Sequence, residues 1–299
     1  MRIDELIATS EEPVFSFEFF PPKDEEGEYS LLAALYALRS LKPTFVSVTW
    51  GAGGSGRLKT IGMTQRIRDQ VGLEGMAHLT TVGATVEDLH TTLREMVDVG
   101  IENVLVLRGD PPRGQNTFVA AEGGLSYASE LATLVADHHD LCVVGACYPE
   151  VHPESTDLAS DLEHLRKKVD AGASVLITQL FFDNSVYEHF VEEARAAGID
   201  VPIIPGIMPV TNLEQIKRFT QMCGASLPDG FRTALEGRAG QPEAIIELGV
   251  AYSTLQCADL LERGAPGIHF YTLNKSPATR AILSALRLMR PWERSRAYA

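Results

Sequence analysis

The chain has 299 residues, 45% hydrophobic and 22% charged, the composition of a folded protein with a full core rather than a disordered one. A formal net charge of -14 excludes non-specific nucleic-acid binding, which needs clustered lysine and arginine to release phosphate counterions. The cysteines Cys142, Cys147, Cys223 and Cys257 form no C-x-x-C pair, so reduced thiols in a cytoplasmic protein are expected and zinc ligation is not.

In chain order, the opening MRIDELIATSEEP has no basic segment leading into an apolar core. No stretch approaches the roughly 20 apolar residues of a membrane span, so neither export nor membrane contact is expected. FSFEFFPPK sets Phe15, Phe17 and Phe19 in alternation with Ser16, Glu18 and Phe20, the period of a strand with different surroundings on its two faces; Pro21 and Pro22 end it. Short β-branched or aromatic runs predict eight strands, at 14–19, 44–49, 76–81, 102–108, 141–147, 174–180, 202–206 and 267–272. Helical patterns separate them, among them 30–41, 86–100 and 157–172, the last two stopping at a glycine. This rhythm predicts an α/β fold, a (β/α)8 TIM barrel, as a single catalytic domain over residues 1–299, with extra helices in the gap 213–266. A doubly wound open sheet is the alternative, but no G-x-G-x-x-G follows the first strand, and no repeat or linker marks a second domain.

Such a barrel builds its active site at the carboxy-terminal ends of its strands. The segments there, EFFPPK, TWGAGGS, HLTTVG, RGDPPR, YPEVHP, QLFFDN, PGIMPVTN and YTLNKS, are rich in polar and turn residues. Glu18, flanked by aromatic residues, is expected to resist ionisation through desolvation and so to donate a proton; a carboxylate in solvent or paired with a base is the other reading. TWGAGGS reads as a glycine-rich ligand loop or a simple turn. Arg108 has the planar fork that suits a diphosphate, with Asp110 beside it in a rigid turn, although local pairing accounts for both equally well. Over 157–172, Leu158, Leu162, Leu165 and Val169 form an apolar stripe, and Asp161, His164 and Lys168 a polar line that reads either as cofactor contacts or as a solvated face. His78 and His152 lack a second ligand at metal spacing, so metal catalysis is not expected. Gln179 offers a paired donor and acceptor, or is a bonded core amide. Lys275 invites a Schiff base, yet its loop with Asn274 and Ser276 offers no apolar desolvation. Trp50, Tyr148, Phe181, Phe182, Phe219 and Tyr271 suit a flat stacked ligand, or the core.

Taken together, SFEFFPPK, SVTWGAGG, AHLT, LRGDPP, YPEVHP, ITQLFFDN, IIPGIMPV and HFYTLNK, in this order between about residues 12 and 285, resemble the methylenetetrahydrofolate reductase family, in particular the catalytic barrel found alone in its bacterial members. The resemblance implies an FAD-bound barrel that takes a hydride from NADH or NADPH and reduces 5,10-methylenetetrahydrofolate to 5-methyltetrahydrofolate, supplying methyl groups for methionine synthesis. A flavin-free member with direct transfer from nicotinamide to folate is the alternative. The resemblance implies that Glu18 is the general acid toward folate N10 and that Asp110 is a charge near flavin and folate. Gln179 would contact the pterin, and Gln215, Phe219, Tyr271 and Lys275 the folate or the stacked nicotinamide. For FAD it implies Thr49, Trp50, Ala52, His78, Arg108, Gly109 and Asp110. It adds Tyr127, Ala128, Tyr148 and His152, then Asp161, His164, Lys167 and Lys168.

Three positions depart from the bacterial pattern: Trp50 stands for tyrosine, His164 for asparagine and Lys275 for arginine, and a lysine gives a point charge where arginine gives a fork. The resemblance further implies a homo-oligomer, a dimer or tetramer. Because the sequence stops near residue 299, no regulatory domain and no inhibition by S-adenosylmethionine are expected. No ribose-reading acid follows from spacing, so NADH and NADPH both remain open. A Schiff-base lyase at Lys275 and a folate-binding protein without turnover are the readings from other classes.

Overall fold

The computed structural model describes residues 1–50, 56–111 and 117–296. A short helix, α1 (Ile3–Thr9), precedes β1 (Val14–Phe19), α2 (Glu25–Arg39), β2 (Phe45–Val48) and α3 (Arg57–Arg66), which runs into a π-helical turn, Ile67–Val71. Then come β3 (Glu74–Thr80), α4 (Val86–Asp98), β4 (Asn103–Leu107), α5 (Ala128–His138), β5 (Cys142–Cys147), α6 (Leu158–Asp170), β6 (Ala173–Thr178) and α7 (Asn184–Ala196). The chain continues through β7 (Ile203–Ile204), β8 (Gly206–Ile207), α8 (Leu213–Cys223), α9 (Asp229–Glu236), α10 (Pro242–Glu262), β9 (Gly267–Tyr271), α11 (Pro277–Met289) and α12 (Trp292–Arg296).

All strand pairs are parallel, in the order β7-β6-β5-β4-β3-β2-β1-β9-β8. The strand predicted at 202–206 is therefore two pieces, β7 on β6 and β8 on β9, which together close the barrel. Pro205 stands between them and has no N–H to give to a ladder, so the strand is interrupted there.

Alternation sorts the side chains into two layers. Phe15, Phe17 and Phe19 point outward, fully buried among Leu31, Leu35 and Leu38 of α2 and Ile282 and Leu283 of α11. Burying each ring contributes roughly 1.5–3 kcal/mol. Val14, Phe45, Met76, Leu105, Val144, Ile177 and Ile204 form the inner layer, and Ile3 and Ile7 of α1 plug its amino-terminal end. Asn103, fully buried, fixes the plug: its Oδ1 accepts from Ile3 N at 2.8 Å and its Nδ2 donates to Met1 O and Glu74 Oε1, each at 3.1 Å.

At the other end, side-chain oxygens cap the helix starts: Asp24 on α2, Thr85 on α4, Asp157 on α6, Asp183 on α7 and Asn212 on α8. The predicted helix at 30–41 therefore begins earlier, at Glu25, behind its Asp24 cap. The reading that no stretch approaches a membrane span in length and apolarity is corrected by one helix. α10, 21 residues, is long and apolar enough by length and composition to cross a membrane. In the fold it packs on α11 and α12, burying Cys257, Leu260 and Leu261 in the barrel's outer layer and Ile245 in the cluster around Phe182 and Met208.

Candidate active site

Above the apolar inner layer the barrel interior turns polar. Ser16 and Glu18 on β1, Ser47 on β2, His78 and Thr80 on β3, and His269 and Tyr271 on β9 occupy the alternate positions that continue the inner face toward the mouth. The β1–β9 register sets Ser16 beside His269 and Glu18 beside Tyr271. Ser16 Oγ and His269 Nδ1 are 2.8 Å apart, so with Nδ1 accepting from the hydroxyl, Nε2–H points on toward Glu18 Oε2 at 3.5 Å. His78 Nε2 approaches the same oxygen at 3.4 Å but makes no hydrogen bond among the described residues. The three side chains are 17%, 5% and 1% exposed for Glu18, His78 and His269.

The electrostatics correct the sequence expectation for Glu18. Burial pushes its carboxyl up, but the His269 hydrogen bond and the charge of His78 and His269 when protonated outweigh this, leaving it below the ordinary value. The phenylalanines that were to desolvate it point to the opposite face of the strand. Burial takes His78 down to about 4, so this imidazole is neutral at physiological pH. Tyr271 is held well above the ordinary phenol value, first by burial and then by the Glu18 charge, and its hydroxyl donates to Thr178 O at 2.6 Å. Gly206 N–H donates to Thr178 Oγ1 at 2.8 Å, and a Cβ on Gly206 would run into the Thr178 carbonyl oxygen and the Tyr271 ring.

A second cluster lies at the exits of β4 and β5. Arg108 grips Glu154 with both terminal nitrogens, Nη1 to Oε2 at 2.5 Å and Nη2 to Oε1 at 2.7 Å, and stacks over the Phe118 ring at 4.9 Å. Gly109 follows at φ +87, and a Cβ there would also crowd Val82 and Thr80. Tyr148 and His152 meet edge to face at 4.6 Å; burial pushes the Tyr148 hydroxyl up to about 12 and His152 below its ordinary value. Val151 between them holds φ 68, which a β-branched residue rarely adopts. Asp161 accepts from His152 N at 3.0 Å and Ser155 Oγ at 3.1 Å. Lys168 Nζ donates to Ala146 O at 2.5 Å, and burial lowers its pKa.

Of the predicted residues, the fold gathers Glu18, His78, Arg108, Gly109, Tyr148, His152, Asp161, Lys168, Gln179 and Tyr271 around the mouth. Gln179 lies one residue past β6, half-buried, with its Oε1 taken by Leu180 N at 2.8 Å. Thr49 and Trp50 are half-buried just beyond β2, and Asp110 is exposed. Phe219 on α8 joins the apolar cluster that also holds Tyr271 and Leu180, whereas Gln215 is exposed on the same helix. Lys275 is exposed in its loop. Tyr127, His164 and Lys167 are exposed, Lys167 pairing with Glu163, and Ala128 is half-buried at the start of α5. Ala52 lies outside the described residues, with most of TWGAGGS. Phe181 and Phe182 are core and not part of a stacking surface, at 0% and 2% exposure.

Sequence reasoning missed Ser16, His269, Ser47, Thr80, Glu154 and Asn274. The first two were within reach: Ser16 shares the Glu18 face by period, and His269 precedes Tyr271 by two. Asn274 at φ 59 ties two strand exits together, its Oδ1 accepting from Phe20 N at 2.7 Å and its Nδ2 donating to Phe20 O at 3.0 Å.

A parallel (β/α)8 barrel with a carboxylate set between two imidazoles at its carboxy-terminal mouth has the architecture of a catalytic barrel. The family profile of methylenetetrahydrofolate reductase matches residues 2–287. The chain is 40% identical over 271 residues to the 5,10-methylenetetrahydrofolate reductase of Escherichia coli (strain K12), covering 91% of this chain and 90% of that one. It is 39% identical over 302 residues to methylenetetrahydrofolate reductase (NADH) 1 of Arabidopsis thaliana, covering 96% of this chain and 51% of that one. The chain thus spans about half the length of the plant relatives it matches. Among solved structures, a Clostridium thermocellum protein that binds two copies of 5-methyl-5,6,7,8-tetrahydrofolic acid shares the fold, with TM-score 0.64 at 16% identity over 96% of this chain and 98% of that one. The chain belongs to the methylenetetrahydrofolate reductase family.

Proposed function

We propose that the protein reduces 5,10-methylenetetrahydrofolate to 5-methyltetrahydrofolate, with NADH or NADPH as donor and FAD as carrier. The observation that carries this reading is Glu18, a carboxylate between His78 and His269 at the mouth of a barrel of this family. The names of the plant relatives support a nicotinamide donor, NADH in their case.

The residues at the mouth fit FAD. Ser47 Oγ, His78 Nε2 and Thr80 Oγ1 are buried with no hydrogen-bond partner among the described residues, a pattern that a heteroaromatic ring with its own donors and acceptors would satisfy. Arg108 and Lys168 would hold phosphate oxygens, and Tyr148 and His152 would line the cofactor. When bound, FAD supplies hydride carriage between nicotinamide and folate.

Glu18 would give its proton to folate N10, opening the methylene bridge to a cation at N5. Its lowered pKa makes it a carboxylate at neutral pH, so a proton has to reach it first. That proton would come from solvent at the open mouth, while His269, which Ser16 orients through Nδ1, directs its Nε2–H at the carboxylate and holds it in place. Asp110 would favour the cation by its charge. Gln179, Gln215, Phe219, Tyr271 and Lys275 would hold folate or nicotinamide.

Glu18→Gln tests the reading. Anaerobic mixing should show flavin bleaching by the nicotinamide largely intact and reoxidation by the folate abolished; equal loss of both half-reactions rejects the acid role. The Arg108–Glu154 pair favours a flavin-free route, because the fork is already taken. A colourless protein that takes up no FAD yet oxidises NADH with folate would decide for that route.

A further inference from the structure

Glu154 is not a stray surface acid. Its own N–H donates to His152 Nδ1 at 3.1 Å, His152 N–H donates to Asp161 Oδ2 at 3.0 Å, and Ser155 is bonded both to Asp161 Oδ1 at 3.1 Å and to His152 O at 2.8 Å. The turn that carries Glu154 is thereby fixed to α6, and the carboxylate meets both terminal nitrogens of Arg108. Arg108 is 23% exposed and Glu154 54%, so the arginine is anchored in the wall while the carboxylate can swing into solvent. The guanidinium holds Glu154 below the ordinary carboxylate range. An anion that takes the Arg108 fork must break this pair.

We propose that Glu154 is an internal competitor for the diphosphate of the flavin, setting both the affinity of the site and its preference for an anion anchored on both sides. The inference rests on the flavin reading above. A free phosphate has only its own charge with which to displace a tethered carboxylate, whose effective concentration at Arg108 is high. A diphosphate held at one end by an adenosine and at the other by a flavin ring carries the same advantage of tethering and can win the fork. Once displaced, the carboxylate remains a nearby like charge, which weakens the bound state further.

The test is FAD titration, followed by flavin fluorescence quenching, with wild type, Glu154→Gln and Glu154→Ala. Both variants should bind FAD about threefold to tenfold more tightly at low salt, the range for removing one partly exposed ion pair and its residual repulsion. Inorganic pyrophosphate should compete against FAD more effectively in the variants than in wild type. In an Arg108→Ala background, Glu154→Gln should change the affinity by less than about twofold, since the competitor then has nothing to occupy. Wild type holding FAD with unchanged or weaker affinity in both Glu154 variants overturns the competitor and leaves the flavin reading intact. An equal gain with and without Arg108 overturns it too, because the effect would then be one of general charge. No uptake of FAD by any of the proteins removes the inference and the flavin reading together.

Discussion

His78 should make the fold acid-sensitive well above the range in which carboxylates titrate. Burial lowers its imidazole from 6.5 to about 4, so the folded protein excludes a proton that the unfolded chain accepts. For a depressed histidine the cost is absent above the unfolded value, grows as pH falls from 6.5 toward 4, and is complete below it. The full shift is worth about 3 kcal/mol. Between about pH 7 and about pH 5, where Glu18 is ionised in both states, linkage gives a loss of about 2 kcal/mol. Urea unfolding of wild type and His78→Gln across that interval isolates the term, because His139 and His152, whose imidazoles are also lowered, titrate in both proteins. The variant should lose about 2 kcal/mol less than wild type on acidification. Parallel stability profiles would refute the reasoning and mean that His78 accepts its proton in place, with Glu18 as partner.

Two further substitutions probe how the mouth is held. Gly206→Ala drives a methyl into the Thr178 carbonyl and the Tyr271 ring, and should cost about 1–3 kcal/mol in urea unfolding, the range for overpacking against backbone. Asn274→Ala removes both bonds to Phe20 and puts alanine at a left-handed φ of 59. A loss of about 1–2 kcal/mol is expected, with faster hydrogen exchange at the Phe20 amide as the local signature.

The strands were legible because barrel strands are short apolar runs bounded by turn residues, and each of the eight predicted runs overlaps an observed strand. The interruption at Pro205 was readable in principle, since a residue without an N–H cannot continue a ladder. α10 was hidden inside the gap 213–266, where an all-round apolar composition gives no helical period to read. At the site, the sequence identified residue types but not which side chains meet. Arg108 was assigned a fork for an anion, and the fold supplies one from its own chain, 46 residues away. Spacing along the sequence carries no trace of that pair.

Glu18 shows how far a period can be trusted. Alternation correctly separated Glu18 from Phe15, Phe17 and Phe19, and that separation is itself why the aromatic rings cannot desolvate it. What surrounds the carboxylate is set by neighbouring strands: His269 lies 253 residues from the Ser16 it contacts, and only the parallel β1–β9 register brings them side by side. The lower inner layer closes with Val14, Phe45, Met76 and Leu105, each with its partners in the same layer. The next positions up three of these strands are Ser16, Ser47 and His78, and of these Ser47 Oγ and His78 Nε2 have no hydrogen-bond partner among the described residues. Unpaired buried polar atoms cost roughly 1–3 kcal/mol each, so a strand that turns from apolar to polar along one face gives up stability toward its carboxy-terminal end. Filling those positions with valine should stabilise the barrel, which makes their polarity an argument for a ligand at the mouth and not for the fold.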